Sequence, residues 1–316
     1  MARQTANQQP EGFSNHIQTV AVVGTGKHTV TALSRAGTNN VYPDGTKVVQ
    51  VDYNDEASLV SALHGQDFLV ITLAITAPEE VHGKLIKAAV TAGVPYVMPN
   101  AHSINFWDSE SFRNDLPVGA MVLNRIQEVK DAGLKCVSLM IGFWYEHSLA
   151  MGEGGFGIDI DKRTVVLFDD GKKAVNTSTW PQCGRALAAL ASLKKLPDDE
   201  SDESVTLAHF QDRPVFVSSF KVSQTDILES IKRVTGTKDA DWSVSRQKSA
   251  ERFSEGGKEL QEGNPGGFYK QMYARVFYPS GDGDYEPDNQ LLGLRNDDLD
   301  EATKAGIELA KAGYSY

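Results

Sequence analysis

Val20-Ala21-Val22-Val23-Gly24-Thr25-Gly26-Lys27-His28-Thr29-Val30-Thr31-Ala32-Leu33-Ser34-Arg35 is the stretch on which the fold turns. Its first five residues read as the apolar opening strand and first glycine of a dinucleotide-binding βαβ unit, and residues 28–35 read as a second strand. Only Thr25, Gly26 and Lys27 separate the two. Parallel neighbours ordinarily need a crossover of a dozen or more residues, built around a helix whose N-terminus receives the pyrophosphate. A link of this length permits a hairpin or a rearranged start. The fingerprint G-x-G-x-x-G would put glycines at 24, 26 and 29, and position 29 is Thr29, so the third glycine is missing along with the helix it would seat. Gly24, Thr25 and Gly26 are what remains of a phosphate-binding turn.

Outward from this stretch, strand and helix signals alternate as in a parallel α/β sheet. Strands are expected at 48–52, 67–75, 94–98 and 136–141, and helices at 56–64 (after an Asn54/Asp55 cap), 79–92 and 119–132. Residues 67–75 are apolar without interruption, which suits a strand covered by helices on both faces. The texture changes at Met151, where Gly152, Gly154, Gly155 and Gly157 loosen the chain. Asp169-Asp170-Gly171 reads as a turn joining strands 164–168 and 174–177 into a hairpin. Further on, the pattern predicts a helix over 181–193, a strand over 215–222, a helix over 224–234 capped by Ser223, and a terminal helix over 298–312. The segment carrying Gly263-Asn264-Pro265-Gly266-Gly267 and Ser280-Gly281-Asp282-Gly283-Asp284 reads as loop-rich. The resulting organisation is α/β: a polar, disordered tail over 1–16, a Rossmann-like domain over 17–150 with its first crossover helix missing, and a smaller α+β substrate lobe over 151–316, of which 174–222 return to the first domain.

Composition narrows the function classes. The chain has 316 residues, 41% hydrophobic, enough for a large core and about two lobes. A net charge of −11 argues against a nucleic-acid partner, which needs clustered Lys and Arg. The two cysteines, Cys136 and Cys183, make a disulfide framework improbable and favour a reducing, cytoplasmic setting. No apolar run approaches the roughly 20 residues of a membrane span. The seven histidines have no spacing with acids or cysteines that suits a metal, and no G-x-S-x-G elbow is present.

Gly142-Phe143-Trp144-Tyr145-Glu146, then Phe168-Asp169-Asp170-Gly171 and Asn176-Thr177-Ser178-Thr179-Trp180-Pro181, carry a resemblance over residues 19–316. The chain resembles the NmrA-like, or isoflavone-reductase-like, group of atypical short-chain dehydrogenases, especially its fungal members. That resemblance implies a Rossmann domain binding NADP(H), a substrate lobe, and one of two roles: reduction of small aromatic or phenolic compounds, or redox sensing without turnover.

The resemblance also distributes roles. Arg35, closing the second strand, would sit on the adenosine 2′-phosphate, which a guanidinium matches bidentately. Asp52 and Tyr53 follow the next strand, within reach of the adenine; Asp52 would equally begin the turn into the following helix. Asp44 lies about 20 residues beyond Gly24 but belongs to the turn Pro43-Asp44-Gly45. Thr72 and Ala74 lie on the loop at the carboxyl edge, beside the nicotinamide ribose, and Asn100 and His102 follow the next strand at that edge. Phe143, Trp144 and Tyr145 have the composition of a wall for a flat apolar ligand, with the Tyr145 hydroxyl and Glu146 as polar handles, or of an interlobe hinge in which Glu146 caps a helix.

Catalytic candidates are His102, Tyr145 and Glu146. No tyrosine has a lysine four residues on, so the pairing in which an ammonium lowers a phenol pKa is missing. Related reductases use a lysine near the start of the helix after the fifth strand, and residues 118–125 contain none. Arg125 cannot replace it as a proton donor. Three readings follow: an NADP-dependent reductase with its cofactor turn impaired, a dinucleotide-sensing or protein-binding regulator, and a non-binding product of a skipped helix-coding segment.

Overall fold

The computed structural model describes residues 4–22, 29–35, 37, 40–74, 77–211 and 213–314. Its main sheet is built from β1 (Thr19–Val22), β2 (Thr29–Arg35), β3 (Lys47–Val51), β4 (Phe68–Val70), β5 (Tyr96–Met98) and β6 (Lys135–Cys136). The strand order is β3-β2-β1-β4-β5-β6, and every neighbouring pair is parallel. This corrects the hairpin alternative for the opening: Val20 pairs with Val30 and Val22 with Ala32 in the same direction. Residues 23–28 lie outside the described residues, and the first described α-helix comes only after β3.

Helices α1 (Glu56–Leu63), α2 (Glu80–Ala92), α3 (Glu110–Asp115) and α4 (Val118–Asp131) follow the sheet strands. Asp55 caps α1 by accepting from the Ala57 N–H at 3.0 Å. Gly93 ends α2 with φ +76°, a left-handed conformation that glycine adopts without a Cβ penalty. Leu59, Leu63, Leu85, Ile86, Ile126 and Val129 from α1, α2 and α4 bury one face of the sheet with Ala21, Leu33, Leu69 and Val97. The opposite face, Val20, Val22, Val30, Phe68, Val70 and Met98, packs on Ala186, Leu190, Phe210, Val215 and Val217.

The rest of the chain continues through β7 (Leu139–Met140), β8 (Phe143–Trp144), α5 (Tyr145–Ala150), β9 (Ile158–Asp159), β10 (Thr164–Phe168), β11 (Ala174–Ser178) and α6 (Trp180–Ser192). It ends with β12 (Val215–Phe216), β13 (Phe220–Ser223), α7 (Gln224–Thr235), β14 (Ser243–Gln247), α8 (Ser249–Gln261), α9 (Gly266–Val276) and α10 (Leu299–Lys311). The hairpin expected over 164–177 does not form. Asp169-Asp170-Gly171 does turn, with the Gly171 N–H on the Phe168 carbonyl at 2.9 Å, but β10 pairs with β14 and β9 whereas β11 pairs with β13 and β8. Local turn chemistry was read correctly and the long-range pairing was not. The strands expected over 136–141 and 215–222 are each broken in two, and their pieces β7 and β12 pair with each other.

Two helices have no counterpart in the expected elements: α9 lies in the segment that reads as loop-rich, and α8 directly precedes it. The glycines there serve close helix packing: a Cβ on Gly267 would stand 2.3 Å from the Gly256 carbonyl oxygen, so α8 and α9 touch backbone to backbone. Ser223 and Asp226 complete a capping box on α7, with the Ser223 N–H donating to Asp226 at 2.9 Å. The tail expected to be disordered is tied down from Thr5 onward. Thr5 is buried, the Ala6 N–H donates to the Pro197 carbonyl at 2.7 Å, and Asn15 exchanges hydrogen bonds with the Leu196 backbone at 2.8 and 2.9 Å.

Candidate functional site at the carboxyl edge of the sheet

Strand order reverses between β1 and β4, and open α/β sheets bind ligands outside the carboxyl ends of the strands at such a point. Gly24, Thr25 and Gly26 lie outside the described residues. On the β2/β3 side of the reversal, Arg35 is exposed at the end of β2. The half-buried Tyr53 follows β3 closely enough for the guanidinium to oppose the upward push of burial on the phenol pKa. Asp52 is exposed; its Oδ1 accepts from the Asn54 N–H at 2.8 Å, the turn that leads into α1.

The β4/β5 side is differently made. The ladder between these strands ends with the Ile71 N–H donating to the Met98 carbonyl at 3.0 Å. Beyond it the Asn100 side chain takes the place of a strand: the Leu73 N–H donates to Asn100 Oδ1 and Asn100 Nδ2 donates to the Leu73 carbonyl, both at 3.1 Å. This turns Leu73 into the core and leaves Thr72 and Ala74 exposed at the edge. The strand expected to run to 75 thus stops at Val70, and its last part is a loop held by a side chain. His102 Nε2 donates to the Ile71 carbonyl at 3.0 Å, and burial pushes its pKa down.

Asn100 is itself held by His82, which is not among the site residues expected from the sequence, and by Arg125, which the sequence suggests only as a failed proton donor. His82, 2% exposed on α2, has Nδ1 at 2.6 Å from Glu128 Oε2 of α4. Its Nε2 accepts from the Asn100 N–H at 3.4 Å, so the ring is neutral with its proton on Nδ1. Burial lowers the His82 pKa against the opposing pull of Glu128. Buried Arg125 donates from NH1 to the Asn100 carbonyl at 2.9 Å, and its buried Nε has no hydrogen-bond partner. A groove of ≈ 530 Å³ opens between α2 and α4, lined by Glu79, Glu80, His82, Gly83, Met121, Asn124, Arg125 and Glu128. A signal was present. His82 belongs to the α2 stripe 82, 85, 86, 89 and Arg125 to the α4 stripe 122, 125, 126, 129; each is the ionisable member of an otherwise apolar face.

The aromatic segment lies in the same core that covers the α1/α2/α4 face of the sheet. Phe143 stacks on Tyr273 with centroids 4.0 Å apart, and Trp144 is half-buried. Tyr145 is fully buried, its hydroxyl 2.7 Å from Thr303 Oγ1, and burial pushes its pKa well above the usual phenol range. Glu146 is 5% exposed and accepts from the Trp180 N–H at the start of α6, at 3.2 and 3.3 Å; burial raises its pKa. Of the two readings of this segment, the packing hinge with a helix-capping Glu146 describes the observed contacts. Gly142 fixes the entry to it: with φ +64°, a Cβ there would lie 2.1 Å from the Asn176 carbonyl oxygen. No group of His, Cys, Asp and Glu among the described residues could hold a metal ion, and no described helix is long and apolar enough to cross a membrane.

Residues 18–122 match the NAD(P)H-binding family model. Oxidoreductase aprR of Aspergillus flavus is 24% identical over 283 residues, 87% of this chain and 89% of that protein. Among solved structures, AtPrR2 with NADP+ and (+)pinoresinol is similar with a TM-score of 0.70 at 15% identity, over 92% of this chain and 99% of that one. An isoflavone reductase gives 0.68 at 16%, over 91% and 98%, and the quinone oxidoreductase QOR2 of Escherichia coli with NADPH gives 0.62 at 16%, over 90% and 98%. The chain carries an NAD(P)H-binding domain and has the Rossmann-like fold of the isoflavone-reductase-like proteins.

Proposed function

We propose that this chain, with its NAD(P)H-binding domain, is an NADP(H)-dependent reductase of a small aromatic or phenolic compound, working at the carboxyl edge of its six-stranded sheet. The observation that carries the reading is Arg35, an exposed guanidinium at the end of β2 within electrostatic reach of the Tyr53 phenol, on the adenosine side of the strand-order reversal. A guanidinium pairs with a phosphate bidentately, and an aromatic ring offers a face to a purine. These residues fit a phosphorylated adenosine. Arg35, Asp52 and Tyr53 would hold that end, with Gly24, Thr25 and Gly26 at the pyrophosphate and Thr72, Ala74 and Asn100 at the nicotinamide ribose. The bound cofactor supplies the hydride; the chain supplies binding and orientation.

The opening glycine turn lacks its third glycine, and the sequence between Gly24 and β2 is too short for the crossover helix whose N–H donors ordinarily face a pyrophosphate. We accordingly place the affinity for NADPH below that of relatives with an intact turn. The aromatic substrate class is supported by the likeness to AtPrR2 with (+)pinoresinol and to isoflavone reductase. A second reading, a dinucleotide sensor without turnover that acts through a protein partner, is favoured by the engagement of Tyr145 and Glu146 in packing and by the absence of lysine from 118–125. Following NADPH oxidation with a panel of quinones and enones separates the two. Turnover supports the reductase; tight binding with no turnover across the panel supports the sensor.

A further inference from the structure

Asn100 links the β4 loop to the groove between α2 and α4: its side-chain amide holds the Leu73 backbone, its N–H meets His82 and its carbonyl meets Arg125. The Leu73 bonds set which residues of the loop face the edge, leaving Thr72 and Ala74 outward. Of the groups holding Asn100, His82 is the one whose hydrogen-bonding pattern can invert near neutral pH. As a neutral ring it accepts from the Asn100 N–H; protonated, it presents Nε2–H to that same N–H, and the two donors oppose each other.

We propose that His82 is a positioning residue for the nicotinamide side of the cleft, holding Asn100, and through it the Leu73 segment, in place only while its ring is neutral. The inference rests on the dinucleotide reading of the edge given above. The groups facing the ring are Glu128 and Arg125 of α4, with Glu79 at the start of α2 acting on Arg125. Glu128 favours the protonated ring, whereas burial and Arg125 oppose it, and the ring is held below its ordinary pKa. The sign follows. The clamp is complete above about pH 6.5, the ordinary histidine value. It is lost as pH falls through the lower pKa of the folded state.

Hydrogen exchange of the Leu73 amide, measured without cofactor and expressed as protection over the intrinsic rate, tests the clamp directly. In the wild type, protection is expected to fall about tenfold, the equivalent of one hydrogen bond, as His82 protonates. His82→Phe, similar in bulk but without ring nitrogens, should show the low protection at every pH. His82→Gln, whose Oε1 can accept from the Asn100 N–H without titrating, should retain protection and lose the pH dependence. Equal Leu73 protection in the wild type and His82→Phe, or a pH profile unchanged in His82→Gln, would overturn the proposal. Titration with NADH and NADPH at pH 7.5 then tests the positioning role. Both cofactors should bind about tenfold more weakly to His82→Phe and nearly normally to His82→Gln. Binding by the wild type with no loss in His82→Phe overturns the role of His82 alone. No binding by the wild type, with the exchange pattern as expected, overturns the dinucleotide reading and the positioning role together while the clamp stands.

Discussion

The two halves of the carboxyl edge are built on opposite plans. At β4/β5 backbone groups beyond the ladder are taken up by side chains that are themselves held: the Leu73 backbone by Asn100, the Asn100 backbone by His82 and Arg125, and His82 in turn by Glu128. At β2/β3 the corresponding positions face solvent. Arg35 and Asp52 are exposed, Tyr53 is half-buried, and β3 shows Lys47, Val48 and Gln50 to solvent. The comparison teaches where each half gets its order. The β4/β5 half is preorganised by α2 and α4, whose apolar stripes bring His82 and Arg125 inward. The β2/β3 half has no described α-helix before β3, and α1 covers it only from the far side, through Leu59 and Leu63 on Leu33 and Val51.

Substitutions should break this asymmetry in a graded way. Removing the buried guanidinium with Arg125→Ala takes a charged donor from the Asn100 carbonyl and leaves a gap under α4. Urea unfolding should record a loss of about 3 kcal/mol. Asn100→Ala deletes both bonds to Leu73 and should cost about 2 kcal/mol, with faster exchange confined to the β4 loop. Tyr145→Phe loses one buried hydroxyl contact with Thr303, about 1 kcal/mol, and should leave the turnover rate unchanged. A collapse of turnover at unchanged stability would instead make Tyr145 a proton donor. Arg35→Ala should change stability by less than about 0.5 kcal/mol, as expected of an exposed side chain, while weakening NADPH binding.

The parallel sheet was legible because its signals are local and redundant. The apolar run at 68–71 and the amphipathic stripes at 80–92 and 118–131 survive errors of a residue or two in their ends. Pairing was not legible where it depends on distant chain: nothing near Phe168 announces that β10 will take β14, 75 residues later, rather than β11. The two missed helices show a different failure. Gly267 looks like a loop residue in sequence, yet the lack of a Cβ there and at Gly256 is what lets α8 and α9 pack. In the site, Arg35 and Tyr53 were legible as strand-end residues, whereas the His82, Glu128 and Asn100 arrangement joins three segments. One half of it, a histidine within an apolar stripe, could be read in advance; its partner 46 residues away could not.

The central claim, that this edge is a dinucleotide site with Arg35 at the 2′-phosphate, is tested most directly by titrating wild type and Arg35→Ala with NADPH and with NADH while following nicotinamide fluorescence. The account predicts that the wild type prefers NADPH and that Arg35→Ala loses about tenfold or more in NADPH affinity with little change for NADH, since only the phosphate contact is removed. Absence of binding at millimolar NADPH, or an equal preference in the two proteins, would contradict it.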